Sequence, residues 1–281
     1  MAAVFFHNGT WSDEQPLLVG PMNHAFWMSS VVFDGARAFG GLVPDVEQHC
    51  ERLIESARNM MLQPTMAAGE IAELCIAAVR RLPKESELYI RPMFFAMDGF
   101  IEPVPESTAF VLAVYDSPMP EWHGLKVCLS SRRRPGRDQA PTTAKASCLY
   151  PNSALALRDA TSRGYDNAVV LDPNGNVAEL LTANLWIVKD GVAMTPAING
   201  TFLNGVTRRR VIQLLGDAGV SVAETTMTWD DVVGADEVFS SGNYGKVLPI
   251  VKVGEHDLQP GPVTRKARDL YFDYAKDFSV F

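Results

Sequence analysis

The sequence predicts an α+β fold with a strand-rich second half. Three observations carry that expectation. Ile71, Leu74, Cys75, Ala78, Val79 and Leu82 fall on one helical face. The segments Leu88 to Met97 and Ala109 to Tyr115 are dense in β-branched and aromatic side chains, as buried strands are. Beyond residue 124, short strand-like runs are divided by tight-turn residues. Helical stretches interrupt them without the strict alternation of a parallel sheet.

Taken in order, Met1 to His7 reads as a strand, and Asn8-Gly9 supplies the turn of a tight hairpin. Val46 to Leu62 reads as a helix, followed by the helix through Ile71 and Leu82 and the two buried strands. Asp116 to Gly124 carries two prolines and little hydrophobic pattern, so the domain linker is placed there. Residues 1–116 form the smaller N-terminal domain in this reading, 117–124 the linker and 125–281 the larger domain. The larger domain opens with a strand, Leu125 to Ser130, and a basic loop, Arg132 to Asp138. A helix from Asn152 to Arg163 follows Pro151. Asn167 to Leu171 turns through Pro173-Asn174-Gly175 into Val177 to Glu179. Leu185 to Val188 and Val192 to Thr195 form a hairpin around Asp190-Gly191. Thr207 to Ala218 reads as a helix stopped by Gly219. Glu237 to Phe239 reads as a strand, and Thr264 starts the last helix, whose face shows Ala267, Leu270, Tyr271 and Tyr274.

At roughly 150 residues per domain, 281 residues suggest two domains. Hydrophobic residues make up 47% and charged residues 21%, which supplies a core of useful size. The formal net charge of −8 argues against a broad nucleic-acid surface. The longest stretch without Asp, Glu, Lys or Arg, Gln15 to Phe33, holds Pro21, Asn23, His24 and two serines, so it does not read as a membrane span. The first residues lack a basic region and a long apolar run, so no signal peptide is expected. Four scattered cysteines then read as reduced thiols in the cytoplasm, and five isolated histidines give no metal-site spacing.

Five features can carry chemistry. Lys145 lies among small uncharged side chains in Thr142-Thr143-Ala144-Lys145-Ala146-Ser147. A desolvated lysine is a good amine nucleophile toward a carbonyl, while the plainer reading is an exposed loop lysine. Glu179 sits near the end of an apolar strand, where an acid needs a cationic partner such as a protonated ring nitrogen. The plainer reading is an edge-strand acid facing water. Asn204-Gly205-Val206-Thr207-Arg208 places a glycine and a hydroxyl at a helix start, which is either an anion site or a plain threonine cap. The turn Ser240 to Gly245 offers further N–H groups. Arg52 reads as a guanidinium for the same anion or as a solvated helix-surface residue.

An amine, a strand-borne carboxylate and several anion sites are together what a pyridine aldehyde phosphate requires. Their order is also familiar. Through Phe33-Asp34-Gly35-Ala36-Arg37, His49-Cys50-Glu51-Arg52-Leu53, Tyr89-Ile90-Arg91-Pro92, Ala144-Lys145-Ala146, Tyr165 to Asn184 and Asn204 to Arg208, the chain resembles the branched-chain amino-acid aminotransferases. These are fold-type IV pyridoxal-phosphate enzymes. The resemblance implies a smaller N-terminal α/β domain and a larger β-rich pseudo-barrel domain. It implies that Lys145 binds pyridoxal 5'-phosphate as a Schiff base and shuttles the proton at the substrate α-carbon. Glu179 would pair with the pyridine nitrogen and Tyr150 with the ring hydroxyl. Arg52, Val206 and Thr207 would hold the phosphate, with Asn243 where the family more often has Ser or Thr. Phe33, Gly35, Arg37, Tyr89, Arg91 and Tyr244 would form the substrate pocket.

The implied activity is transamination between a branched-chain L-amino acid and 2-oxoglutarate, in a cytoplasmic homo-oligomer of at least two subunits. Neither metal, nucleic acid nor membrane enters this reading. Met28, where many relatives have tyrosine, and the turn Asn243-Tyr244-Gly245-Lys246 point to an alternative on the same fold: an (R)-selective amine or D-amino-acid transaminase, or an aminochorismate lyase. A third reading is a non-enzymatic scaffold with an anion contact at Arg132 to Arg137, against which the net charge argues.

Overall fold

The computed structural model describes residues 2–281, so Met1, the expected start of the first strand, lies outside the described residues. The chain forms two compact units. Among the described residues, the first comprises 2–119, 143–149 and 275–281; the second comprises 120–142 and 150–274. The chain leaves the first unit within the stretch read as linker. The segment holding Lys145 belongs to the first unit by its contacts.

In the first unit, β1 (Ala3–His7) and β2 (Thr10–Ser12) form the expected hairpin. Asn8 and Gly9 take φ of 49° and 74°, as a two-residue hairpin turn demands. A short helix α1 (His24–Trp27), β3 (Val31–Phe33) and β4 (Ala36–Phe39) follow. Two longer helices come next, α2 (Val46–Asn59) and α3 (Ala68–Val79), then β5 (Glu87–Ala96) and β6 (Thr108–Asp116). The six strands make an antiparallel sheet in the order β2-β1-β6-β5-β3, with β4 also on β5. One row of β5, Leu88, Ile90 and Phe94, joins Leu112, Val114 and the apolar face of α2 and α3 in the main core. The alternate row therefore faces the other side of the sheet.

The second unit contains β7 (Leu125–Leu129), α4 (Tyr150–Ser162), β8 (Asn167–Leu171) and β9 (Val177–Leu180). It continues through β10 (Asn184–Lys189), β11 (Val192–Pro196), α5 (Val206–Asp217) and β12 (Val222–Thr225). It ends with α6 (Trp229–Val233), β13 (Glu237–Gly242), β14 (Lys246–Val253), β15 (His256–Asp257) and α7 (Pro262–Ala275). The sheet order is β12-β11-β10-β13-β14-β7-β8-β9, with β15 on β14. Leu180 N–H donates to Ala183 O, so the last strand of this path turns directly into one from its middle and the sheet curls. Trp186 and Phe239 stack at 5.3 Å in the core under α5 and α7.

Some boundaries differ from expectation for local reasons. β14 escaped notice because Pro249 interrupts its pattern; pairing with β7 begins only at Ile250, so that ladder does not use the missing N–H. The polar turn expected at Ser240 to Gly245 is shorter, because Ser240, Ser241 and Gly242 pair with β14 as strand. Helix α4 starts at Tyr150, with Pro151 in its first turn, where a missing N–H costs nothing. Likewise α7 starts at Pro262 rather than Thr264. Among the described residues no helix is long and apolar enough to cross a membrane.

The start of α7 is held from a strand. Glu237, 5% exposed, accepts hydrogen bonds from Val263 N–H, Thr264 N–H and the Thr264 hydroxyl. A carboxylate there satisfies N–H groups the helix leaves open and opposes its dipole. Glu237→Ala is expected to lower stability by about 2–4 kcal/mol, because it removes a buried charge-assisted cap. Urea unfolding monitored by tryptophan fluorescence measures this, and a change below about 0.5 kcal/mol would contradict the capping role.

Candidate active site

In the first unit the expected substrate residues come together by strand register. Arg37 lies opposite Tyr89, Tyr89 opposite Tyr115, and Phe33 opposite Met93. Because Val32, Ala36, Leu88 and Ile90 belong to the main core, Phe33, Arg37, Tyr89, Arg91 and Tyr115 share the opposite face. Arg37 is fully buried. Its guanidinium donates to the Ser117 hydroxyl at 2.9 Å and to Ser117 O at 2.6 Å. The Arg91 guanidinium lies 5.1 Å from the Tyr89 ring centre and 5.0 Å from that of Tyr115, and it donates to the Tyr115 hydroxyl. Burial raises the Tyr115 pKa, while the charge of Arg91 works against the rise. Two cations on an aromatic face suit a carboxylate.

Lys145 is built onto this unit through its backbone. Its carbonyl accepts from Phe33 N–H at 3.1 Å, and its N–H donates to the Ser56 hydroxyl at 3.0 Å. Ala146 bridges to Val32. These bonds leave the lysine half-buried, with Nζ 4.8 Å from the Phe33 ring centre. The amine thus stands over a residue of the Arg37–Tyr89–Arg91 face.

Arg52 is not a solvated helix residue. Its Nε and one terminal nitrogen hold both oxygens of Asp34 at 2.7 and 2.8 Å. Asp34 is fully buried and also bonds His49 Nδ1 at 2.7 Å and Gly35 N–H at 2.7 Å. Burial by itself raises the Asp34 pKa, but the charge and hydrogen bonds of Arg52, with those of His49, outweigh it and hold the carboxyl well below the usual range. Gly35 contributes backbone to this arrangement.

The second unit gathers another set. Glu179 has Arg134 Nε 3.5 Å away and Asn184 Nδ2 3.4 Å away. The cation that Glu179 needs is therefore met partly by the basic loop, and Arg134 also donates to Thr201 O. Asn184 donates to Leu203 O at 3.1 Å and sits against Gly205. A side chain at Gly205 would collide with the Asn184 amide. Gly205 precedes α5, whose first turn is buried at Val206 and Thr207 and has no side-chain cap and no acidic residue. Buried N–H donors without a side-chain cap fit an anion. Arg208 braces the same loop, donating to Asn204 Oδ1, Thr195 Oγ1 and Pro196 O while pairing with Glu224. Asn184 lies opposite Ser241 in the sheet, which puts the turn at Asn243 beside this group. Tyr150 and Tyr244 are more exposed, at 37% and 60%.

The family model for amino-transferase class IV matches residues 31–253. The chain belongs to the amino-transferase class IV family. It is 36% identical to a branched-chain-amino-acid aminotransferase of Pseudomonas aeruginosa, over 96% of this chain and 92% of that one. An aminotransferase from Brucella abortus, solved bound to the co-factor PLP, superposes with a TM-score of 0.97 at 43% identity, covering 98% of this chain and all of that one. A branched-chain aminotransferase from Thermoproteus uzoniensis, solved with norvaline, gives 0.90 at 30% identity, covering 98% and 95%. The fold is accordingly that of the fold-type IV aminotransferases.

The sequence reading did not single out Asp34, His49, Ser56, Tyr115, Arg134, Asn184 or Arg208. Asp34 stood inside a quoted motif, but its pairing with Arg52 crosses 18 residues and a change of element. Arg134 was visible only as part of a basic run. Because the folded pKa of Asp34 is depressed, its stabilisation is complete above the unfolded value of about 4 and is lost as pH falls toward the folded value. Asp34→Asn is expected to cost about 3–5 kcal/mol at neutral pH by leaving buried donors poorly paired. It should also flatten the acid side of the stability curve below about pH 4. Thermal unfolding from pH 3 to 8 checks both, and an unchanged acid limb would remove Asp34 as its source.

Proposed function

We propose that the protein is a pyridoxal 5'-phosphate-dependent aminotransferase that exchanges an amino group between a branched-chain L-amino acid and 2-oxoglutarate. The observation that carries this reading is the Lys145 amine held over Phe33, on the sheet face that also bears Arg37, Tyr89 and Arg91. The residues present fit the cofactor: an amine, a carboxylate beside an amide, and a buried helix start with open donors.

Lys145 would hold the cofactor covalently, and its freed Nζ would move the proton at the substrate α-carbon. When bound, pyridoxal phosphate supplies an aldehyde for amine exchange and a ring that takes up the electron pair left at that carbon. Glu179 would accept from the protonated ring nitrogen, with Arg134 and Asn184 fixing its carboxylate. Tyr150 would donate to the ring hydroxyl. Val206 and Thr207 would hold the phosphate through backbone N–H groups and the Thr207 hydroxyl, and Arg52 through its guanidinium, oriented by Asp34. Asn243 would stand beside the phosphate and the substrate carboxylate. Arg37, Tyr89 and Arg91 would receive carboxylates and Phe33 the aliphatic side chain, with Gly35 and Tyr244 as further substrate-binding residues.

A desolvated guanidinium is poorly served by a substrate without a carboxylate. L-Leucine or L-valine with 2-oxoglutarate is therefore expected to exceed (R)-1-phenylethylamine with pyruvate by about tenfold or more in kcat/KM, each factor of ten being about 1.4 kcal/mol. A better amine donor would transfer the reading to the (R)-selective branch. Borohydride reduction and peptide mapping should place the pyridoxyl adduct on Lys145; an adduct on another lysine contradicts its role. Glu179→Gln should retain cofactor yet lose turnover about a hundredfold or more, since the ring accepts electrons less well.

The oligomer belongs to the same reading. Met22, Phe26, Trp27, Phe100 and Ile101 are exposed on the first unit, and Trp27 packs on Phe100 at 5.7 Å. Apolar surface of this kind commonly meets another subunit. A homodimer or larger assembly in the cytoplasm, where the four free cysteines would stay reduced, is the expected state. Sedimentation showing only monomer at micromolar concentration would oppose it.

A further inference from the structure

Lys246 is a lysine buried to 1% exposure in the second unit. It occupies the first position of β14 with φ of 59°, a left-handed conformation that side-chain-bearing residues seldom adopt. Its Nζ lies 5.6 Å from the ring centre of Tyr271, itself fully buried, and donates to Asn243 Oδ1 at 3.0 Å. Hiding an ammonium costs far more than an apolar side chain of the same length. The placement therefore calls for a purpose beyond filling space.

The chemistry of the contact gives one. An ammonium carries three donors and no acceptor, so the amide edge turned toward it must be the oxygen. That fixes the Asn243 amide in one of its two flips and sends its NH2 group the other way. Two residues earlier, Ser241 lies opposite Asn184, and Asn184 contacts Glu179 and abuts Gly205 at the start of α5. Gly242 packs against Ala183, so the turn is pressed onto the same region. We propose that Lys246 is a positioning residue that locks Asn243 as an N–H donor toward an oxyanion at the α5 end of the second unit. The pair then supplies an N–H donor whose direction is set by a buried charge. Asparagine without the lysine could present its acceptor oxygen to the anion, which would repel it. This inference rests on the functional reading above, and the oxyanion is either the cofactor phosphate or a substrate carboxylate.

The test uses the holoenzyme and its apo form, titrated with pyridoxal 5'-phosphate and with phosphate-free pyridoxal, alongside the KM for the amino acid. Asn243→Asp keeps an acceptor for Lys246, so apo thermal stability should be retained, but it has no N–H to donate. If the anion is the phosphate, Asn243→Asp and Lys246→Met each weaken pyridoxal 5'-phosphate binding about tenfold or more and leave pyridoxal binding nearly unchanged. If it is the carboxylate, cofactor affinity holds and the amino-acid KM rises by a similar factor with little change in kcat. In either arm Lys246→Met adds nothing once Asn243 is alanine, because the lysine acts through that amide. Equal losses from Lys246→Met with and without Asn243 would overturn the proposal. So would an Asn243→Asp enzyme with normal affinities, which needs no folded Lys246→Met to interpret. If wild-type apoenzyme takes up no pyridoxal 5'-phosphate, the functional reading fails and takes this inference with it; normal wild-type uptake with uncoupled variants removes this inference alone.

Discussion

One buried carboxylate organises the charged half of the first unit. Asp34 has no solvent of its own, yet it stays ionised because Arg52 and His49 reach it from α2. Its position is dictated by the break between β3 and β4, where Asp34 N–H donates to Pro92 O on β5. Strand, helix and guanidinium are thereby tied at one point. If Asp34 were neutral, Arg52 would have no reason to lie inward and the α2 contact would bury an uncompensated cation. The alternating face that carries Arg37, Tyr89 and Arg91 is built on the same strands. A shift of one residue in register would send those side chains into the main core.

The second unit solves a similar problem with one cation and one neutral amide. Glu179 is steadied by an amide and a guanidinium, and Asn184 is steadied by a backbone carbonyl. Gly205 permits the close approach that brings this amide to the head of α5. The helix start is left without a capping side chain, while α7 in the same unit receives a complete one from Glu237. Two helix ends of one unit thus differ in whether their donors are already engaged by a side chain. That contrast separates a structural terminus from one suited to an incoming anion.

Much of this was legible in the residue pattern. The α3 face, the β5 and β6 runs and the Asn8-Gly9 turn follow from short-range periodicity and turn chemistry, which need no tertiary information. Lys145, Glu179 and Thr207 stood out because an amine, an acid and a hydroxyl in small or apolar surroundings are unusual. Arg134 beside Glu179, Tyr115 beneath Arg91 and Lys246 behind Asn243 did not stand out. The first two join separate elements through pairings that periodicity cannot reveal. Lys246 reads in sequence as an ordinary turn lysine, and only its burial against Tyr271 marks it. Strand β14 was hidden by Pro249 for the same kind of reason: whether a missing N–H matters depends on which neighbour the ladder uses at that residue.

The path of the chain has a consequence for how such a protein can be divided. It passes between the two units four times, at 119/120, 142/143, 149/150 and 274/275. The seven residues that carry Lys145 are an excursion inserted in the second unit's sequence but bonded to β3 of the first. A gene cut near residue 120 therefore leaves the N-terminal fragment without two segments of its own unit, and Lys145 travels with the other fragment. Recombination that exchanges whole halves among relatives must respect that excursion, or the amine will meet a strand edge it was never selected to join.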